Sequence, residues 1–135
     1  MKNIAILLFF LSPLFASNVD AKSVYFVSTT GSDNSDGKSL ANAFLTLQKA
    51  VNIAAENDEI HIQSGTYVFS ETCTINKSLI IKGAYTSNDI QDYSVKTIFN
   101  GNNNSRIIRV IANGSGVPHL IVDGLTFINA TSTGY

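Results

Sequence analysis

The sequence predicts a mainly β fold in which short strands form the successive coils of a solenoid, with one capping α-helix ahead of them. Beyond residue 57 the chain consists of short runs rich in β-branched and aromatic residues, separated by Gly, Asn, Ser and Asp. The apolar centres of these runs recur at intervals of roughly 17 to 30 residues, near Ile60, Ile81, Val110 and Phe127. That spacing fits one turn of a solenoid better than the roughly 8 to 12 residues between the strands of a sandwich.

The first 21 residues have the pattern of a secretory signal peptide. Lys2 precedes an apolar run over residues 4–15, which is too short to cross a bilayer. Val19 and Ala21 supply the small residues that a cleavage site needs, so the mature chain is expected to begin at Lys22. The pattern predicts export, with no transmembrane segment after removal of the signal.

Charge and cysteine content narrow the class of protein. Of the 135 residues 14% are charged and the formal net charge is −1, so the chain lacks the basic surface of a nucleic-acid-binding protein. Cys73 is the only cysteine, which excludes an intramolecular disulfide. Its place in the β-rich run "ETCTINKSLII" favours a small buried hydrophobic residue over a reactive thiol.

The mature chain is expected to open with a strand, a loop and one helix, which together make up residues 22–57. The segment "VYFVS" (residues 24–28) is β-branched and aromatic and leads into the turn-rich "TTGSDNSDG". A helix is predicted over residues 46–56, with Thr46 as its N-cap and Asn57 at its end. Such a helix would cover the apolar end and the unpaired strand edges of the first coil. Its apolar side chains recur at steps of three and four residues: Phe44, Leu47, Val51 and Ala54.

Residues 58–135 are assigned to the first coils of the solenoid. In "NKSLIIKG" and "VDGLTFIN", the pairs Leu79 with Ile81 and Leu125 with Phe127 are predicted to point inward in equivalent ways. Asparagine suits tight corners because it tolerates left-handed backbone, and four stand at the ends of runs: Asn76, Asn100, Asn113 and Asn129. The last coil would leave its apolar end open at Tyr135, so the sequence is expected to be truncated.

The chain also resembles a known superfamily. The stretch "YFVSTTGSDNSDGKSLANAFLTLQKAVNIAAENDEIHIQSGTY" resembles the N-terminal region of right-handed parallel β-helix proteins of the pectate-lyase-like superfamily. The shared pattern comprises Val27 and Ser28, Gly31 to Asp33, Asp36 and Gly37, Ala43 and Phe44, Leu47 to Ala50, Asp58 to Ile60, and Gly65 to Tyr67. The later "VPHLIVDGLTFINATSTGY" is similar to coils of bacterial surface proteins related to chlamydial polymorphic outer-membrane proteins. The resemblance covers the whole mature chain and implies a right-handed parallel β-helix with an N-terminal capping helix.

The resemblance implies less about activity, because the superfamily includes polysaccharide lyases, glycoside hydrolases, epimerases and noncatalytic surface proteins. Its enzymes carry catalytic residues on middle coils that this sequence does not reach, so no catalytic or cofactor-binding residue is assigned. We therefore expect an exported surface or secreted module with a structural, adhesion or glycan-interaction role. The resemblance places it in the extracellular space or at the outer-membrane surface of a bacterium. Its expected partner is an extracellular polysaccharide or a host or cell surface. The alternative is the N-terminal segment of a polysaccharide lyase or glycoside hydrolase.

Asp33 and Asp36 are candidate Ca²⁺ ligands in the loop "GSDNSDG". Carboxylates beside Asn and Ser oxygens are ligands that Ca²⁺ accepts. An EF-type register placed on Asp36 and Gly37 puts Ala43 where a bidentate Glu is required, so that motif fails. The favoured interpretation is a turn whose Asp and Asn side chains bond local backbone amides, with a weak Ca²⁺ site as the alternative.

Three outward positions, His61, Arg106 and Arg109, are candidate glycan contacts. His61 lies between two isoleucines, so strand alternation turns it away from the core. The two arginines, with Lys82 and Asp123, form the nearest approach to a set that binds polyuronate. The favoured interpretation of these positions is ordinary solvated surface residues, with glycan contact as the alternative. Four tyrosines are further candidates for stacking on sugars: Tyr25, Tyr67, Tyr85 and Tyr93. For Tyr67, which follows "SGT", the favoured interpretation is a side chain that fills the first coil.

Overall fold

The computed structural model describes residues 21–103 and 106–132. The predicted signal peptide, apart from Ala21, lies outside these residues. Within them the fold is mainly β, as predicted, with nine strands, one α-helix and one 3-10 helix. None of the helices in this part of the chain has the length and apolar character required to cross a membrane.

The nine strands form three parallel sheets. The first sheet has the order β1 (Val24–Val27), β2 (Glu59–Gln63), β5 (Leu79–Tyr85) and β8 (Leu120–Asp123). The second has the order β3 (Gly65–Val68), β6 (Thr97–Asn100) and β9 (Leu125–Ile128), and the third pairs β4 (Cys73–Ile75) with β7 (Ile108–Val110). From β2 onward the chain visits the first, second and third sheets in that order, returns to the first, and repeats the order of visits. All neighbouring strands pair in parallel.

Strand alternation decides which side chains enter the core. Ile60 and Ile62 of β2 and Leu79 and Ile81 of β5 are fully buried, whereas the residues between them stay partly exposed. Full burial of each such side chain contributes about 1.5 to 3 kcal/mol of hydrophobic free energy. The intervening residues therefore point away from the core and form the outer face of the first sheet.

The repeat differs in one respect from the predicted alignment. Leu79 and Ile81 lie in the first sheet, where they pair with β8. Leu125 and Phe127 lie instead in the second sheet, and the ring of Phe127 packs edge-on against Phe99 with centroids 5.6 Å apart. The two runs look alike in sequence because an inward pair two residues apart occurs in any strand with one buried face.

The single α-helix, α1 (Leu47–Ile53), begins where predicted and ends at Ile53 rather than at residue 56. The hydroxyl of Thr46 accepts the backbone N–H of Lys49 at 3.2 Å, which confirms the predicted N-cap. The chain turns away after Ala54, whose ψ is 142°, and the carboxylate of Asp58 accepts the next backbone N–H at 2.8 Å. The helix packs against β1 and β4, and its buried residues are Leu47, Ala50 and Val51.

The loop between β1 and α1 is built around Phe44. Its backbone N–H donates to the carbonyl of Phe26 and its carbonyl accepts the N–H of Ser28, both at 2.9 Å, so it extends the sheet beside β1. Gly37 lies directly over the Phe44 ring with φ +69°, and a Cβ at this position would clash with ring carbons. Only glycine satisfies both the backbone angle and the space.

Two glycines let consecutive layers approach closely. A Cβ on Gly83, in β5, would clash with the side chain of Leu125 and would lie 2.5 Å from the carbonyl oxygen of Gly124. Gly124 has φ +65°, and a Cβ there would lie 2.8 Å from the carbonyl oxygen of Gly83. Backbone therefore packs against backbone at this point, where β8 passes into β9.

Candidate functional site

The outer face of the first sheet carries a bonded group of ionisable side chains, the Glu59 cluster, which comprises Glu59, Lys22, His61, Lys82 and Asp89. One oxygen of Glu59, Oε1, accepts the ammonium of Lys82 at 2.6 Å and lies 2.8 Å from Nε2 of His61. The other oxygen, Oε2, lies 3.1 Å from the ammonium of Lys22. Alternation in β2 puts Glu59 and His61 on this face, and His61 pairs in register with Lys82 of β5.

His61 is held from several sides. Its Nδ1 lies 3.0 Å from a carboxylate oxygen of Asp89, and its Nε2 lies 3.1 Å from the hydroxyl of Tyr85. The Tyr85 ring stacks on the imidazole with centroids 4.0 Å apart, and Phe26 contacts it edge-on at 5.5 Å. Only 13% of the His61 side chain is exposed. His61 therefore points away from the core, as predicted, but its neighbours cover it.

The charges of the cluster shift the pKa of two of its groups. Burial disfavours the charged form of Glu59, but hydrogen bonds from Lys82, His61 and Lys22 outweigh this and lower its pKa to about 2. Burial, and then the nearby carboxylates of Glu59 and Asp89, raise the pKa of Tyr85 to about 12. Glu59 is thus a carboxylate and Tyr85 a neutral phenol at neutral pH.

Beside the cluster lies a more open patch, the tyrosine shelf, which consists of Tyr93, Gln91 and Asp123. The hydroxyl of Tyr93 donates to Oδ2 of Asp123 at 2.7 Å, and the Gln91 amide donates to the same oxygen at 3.2 Å. A second bond from that amide, at 3.1 Å to the carbonyl of Gly83, fixes Gln91 to the sheet. The bond to Asp123 raises the pKa of Tyr93. Because 56% of Tyr93 is exposed, its ring is available to a ligand.

No family model, curated protein or solved structure matches the chain. The chemistry of the first sheet is therefore the basis for a functional assignment.

Asp33 and Asp36 act as turn-formers. One oxygen of Asp33 accepts the backbone N–H groups of Leu45 and Thr46, each at 2.9 Å, and the other accepts the Thr46 hydroxyl at 2.7 Å. Asp36 accepts the N–H of Lys38 at 3.0 Å. Over residues 21–103 and 106–132, no group of three or more His, Cys, Asp and Glu side chains has a metal-binding arrangement. The favoured turn interpretation matches these bonds, and Ca²⁺ binding stays a prediction.

The structure separates the predicted glycan contacts. Arg109 is exposed on β7 of the third sheet, and Arg106 precedes that strand, whereas His61 lies on β2 of the first sheet. It does bring His61 beside Lys82, and Lys82 pairs in register with Asp123 of β8. The contact of His61, Arg106 and Arg109 with a glycan stays a prediction.

Several residues of the two patches were not singled out from the sequence. Glu59 could have been predicted, because alternation in "EIHIQ" places it on the same face as His61. Asp89 and Gln91 could not have been predicted from a sequence pattern. They lie in the irregular segment after β5, and only the folded chain brings them to the first sheet. Tyr93 was recognised only as one of four tyrosines.

A separate groove of about 450 Å³ lies where the start of α1 faces the segment from β3 to β4. The side-chain amide of Gln48 exchanges two hydrogen bonds with the backbone of Thr74, at 2.9 and 3.3 Å, and so fixes the helix to β4. Cys73 lies at the groove, and burial raises the pKa of its thiol to about 12. This matches the predicted structural cysteine, because a protonated thiol is a poor nucleophile.

Proposed function

We propose that this chain is an exported, noncatalytic β-solenoid module of a bacterial surface and that it binds an extracellular polysaccharide through the outer face of its first sheet. The export part of the proposal depends on the signal pattern in residues 1–21. N-terminal sequencing of the exported protein tests it, with a mature chain beginning at Lys22 as the expected result.

The repeated order of strand visits supports the solenoid part of the proposal. In a parallel solenoid each pass of the chain contacts the passes before and after it, and β2, β5 and β8 are hydrogen-bonded in that manner. Asparagine contacts recur between layers. The Asn129 amide donates to the Asn100 side-chain carbonyl at 3.1 Å, and the Asn113 amide donates to the backbone carbonyl of Asn76 at 2.5 Å.

The observation that carries the binding proposal is the exposed ring of Tyr93, whose hydroxyl is held by its hydrogen bond to Asp123. An exposed tyrosine offers an apolar ring face to the C–H groups of a sugar and a polar hydroxyl at its edge. Carboxylate and amide groups beside such a ring supply the few directed hydrogen bonds that orient a ligand. Asp123 and Gln91 occupy those positions.

Titration calorimetry with soluble neutral, acidic and amino-sugar oligosaccharides tests the binding proposal. We expect at least one class to bind, and we expect Tyr93→Ala to weaken that binding by about fivefold to tenfold through loss of the stacking surface. Val68→Ala is the matched control, because Val68 is 63% exposed on the second sheet, away from the shelf. Absence of binding by the native chain to every class would refute the proposal.

One observation supports the runner-up, the N-terminal segment of a polysaccharide lyase or glycoside hydrolase. His61 is bonded at both ring nitrogens, to Asp89 through Nδ1 and to Glu59 and Tyr85 through Nε2, and such bonds orient an imidazole for proton transfer. Incubation with pectin, alginate and glycosaminoglycans, followed by detection of unsaturated uronates or new reducing ends, separates the two functions. Product that disappears in His61→Ala would favour the enzyme over the binding module.

A further inference from the structure

We propose that the polysaccharide bound at the tyrosine shelf carries free amino groups, so that the ligand is a cationic hexosamine polymer. This inference rests on the proposed function, because it specifies the chemistry of the sugar that the same shelf binds.

The first step is the position of Asp123. Its carboxylate bonds the hydroxyl of Tyr93 and the amide of Gln91 through one oxygen, so it stands at the edge of the exposed ring. A sugar that stacks on the ring places its substituents close to this carboxylate. A protonated amine there gains both a charge-assisted hydrogen bond and attraction to the ring face, whereas a uronate carboxylate is repelled.

The second step is that the lysines of this sheet are already engaged. Lys82 lies 2.6 Å and Lys22 lies 3.1 Å from the carboxylate of Glu59, so neither is a free counter-ion for an acidic sugar. On the outer face as a whole the carboxylates of Glu59, Asp89 and Asp123 outnumber the two ammonium groups, and both ammonium groups contact Glu59 rather than Asp123.

The remaining charges near the ring do not change this balance. Asp92 and Lys96 lie close to Tyr93 in the sequence and add one charge of each sign. Lys96 donates to the backbone carbonyl of Tyr93 at 3.3 Å, and Asp92 accepts the N–H of Ser94 at 2.9 Å.

Arginine, the residue best suited to uronate carboxylates, lies elsewhere. Arg109 is on β7 of the third sheet, and Arg106 precedes that strand. The shelf therefore lacks the bidentate guanidinium partner that suits a uronate carboxylate best, and the carboxylate of Asp123 complements an amine.

Three tetrasaccharides of similar size test the inference on the full chain. They are the tetramers of glucosamine, of N-acetylglucosamine and of galacturonate. At about pH 5.5, where hexosamine amines are protonated and Asp is ionised, we expect the glucosamine tetramer to bind at least about fivefold more tightly than the N-acetylated one. Galacturonate is expected to bind most weakly. Raising the salt from about 50 to about 500 mM should reduce the difference, because exposed charges are screened.

Two variants assign the preference to one carboxylate. Asp123→Asn keeps an acceptor for Tyr93 and removes the charge, so we expect the ratio of the two affinities to fall to about one. Glu71→Gln makes the same chemical change at an exposed residue of the groove and should keep the native ratio.

The outcomes separate this inference from the proposed function. Galacturonate that binds as tightly as glucosamine, or a preference that survives Asp123→Asn, would overturn the inference while leaving glycan binding in place. Failure of all three sugars, and of the neutral oligosaccharides, would overturn both.

Discussion

Tyr85 stacks on His61 with an interplanar angle of 17°, although strict alternation along β5 would turn Tyr85 into the core. The register between β2 and β5 shifts after the pair His61 and Lys82, and Tyr85 comes to lie opposite Gln63. The additional residue is Ala84, which has φ +61°. This bulge reverses the alternation and brings a phenol to the outer face.

The first prediction concerns the backbone of this bulge. A β-branched residue strongly disfavours the left-handed region, so Ala84→Val should reduce the free energy of unfolding by about 2 kcal/mol or more. Ala84→Gly should change it by less than about 1 kcal/mol, because relief of strain and greater freedom of the unfolded chain oppose one another. Urea unfolding measures both, and Ala55→Val, at an exposed residue without positive φ, is the control. Equal losses in the two valine variants would argue against a strained bulge.

The second prediction concerns the loop carboxylates. Asp33 accepts three hydrogen bonds at the start of α1, whereas Asp36 accepts one. Asp33→Ala should therefore cost about 2 to 3 kcal/mol of unfolding free energy, and Asp36→Ala about 1 kcal/mol or less. Chemical denaturation compares the two. A larger loss of unfolding free energy in Asp36→Ala than in Asp33→Ala would contradict this interpretation of the loop. Heat of binding on titration with millimolar Ca²⁺ would favour a metal site instead.

The third prediction is a pH dependence that belongs to Glu59. Its pKa is lowered from 4.5 to about 2 in the folded chain, so its contribution to stability is present above pH 4.5 and is lost as the pH falls toward 2. Allowing for screening at the partly exposed lysines, we expect this contribution to be about 1 to 2 kcal/mol. Between pH 4.5 and pH 2, the unfolding free energy of Glu59→Gln should therefore fall by about 1 to 2 kcal/mol less than that of the native chain. Glu71→Gln, which changes an exposed carboxylate, should leave the decline as it is.

The fourth prediction tests the register of the second sheet. Thr66 and Ile98 are register partners in adjacent parallel strands, and neighbouring strands are about 4.8 Å apart, a spacing that a disulfide spans. The double variant Thr66→Cys with Ile98→Cys should form an intramolecular disulfide on oxidation, detected by mass spectrometry. The pairing of Thr66→Cys with Asn100→Cys, two residues out of register, should remain reduced under the same conditions. Preferential oxidation of the second pair would contradict the register.

The sequence was informative wherever a local rule governs the structure. Alternation around Ile60 and Ile81 identified buried positions, and Thr46 was recognised as a cap because its hydroxyl acts within one turn of helix. The mainly β class followed from the same patterns. The early end of α1 depends on Asp58, which accepts a backbone N–H from the turn beyond the helix, and no helical period reports such a contact.

The tyrosine shelf escaped detection because it is assembled from distant parts of the chain. Gln91 and Tyr93 meet Asp123 some 30 residues later, and the bonds between them exist only because β8 lies beside β5. The outward position of Tyr85 could not be predicted for a different reason. Its outward position results from one residue of left-handed backbone at Ala84, an alanine that carries no sequence sign of such a conformation.

Gly83 and Gly124 lie 41 residues apart in the sequence, yet a substitution at either one is obstructed by the other. A methyl group at either one meets the backbone or side chains of the other layer, and shortening a neighbour does not remove the obstructing carbonyl oxygens. We therefore expect homologous chains to retain both glycines together, because a change at either one is obstructed by the backbone of the other. The joint presence of this pair would identify the same close approach of two strands in chains whose other residues differ.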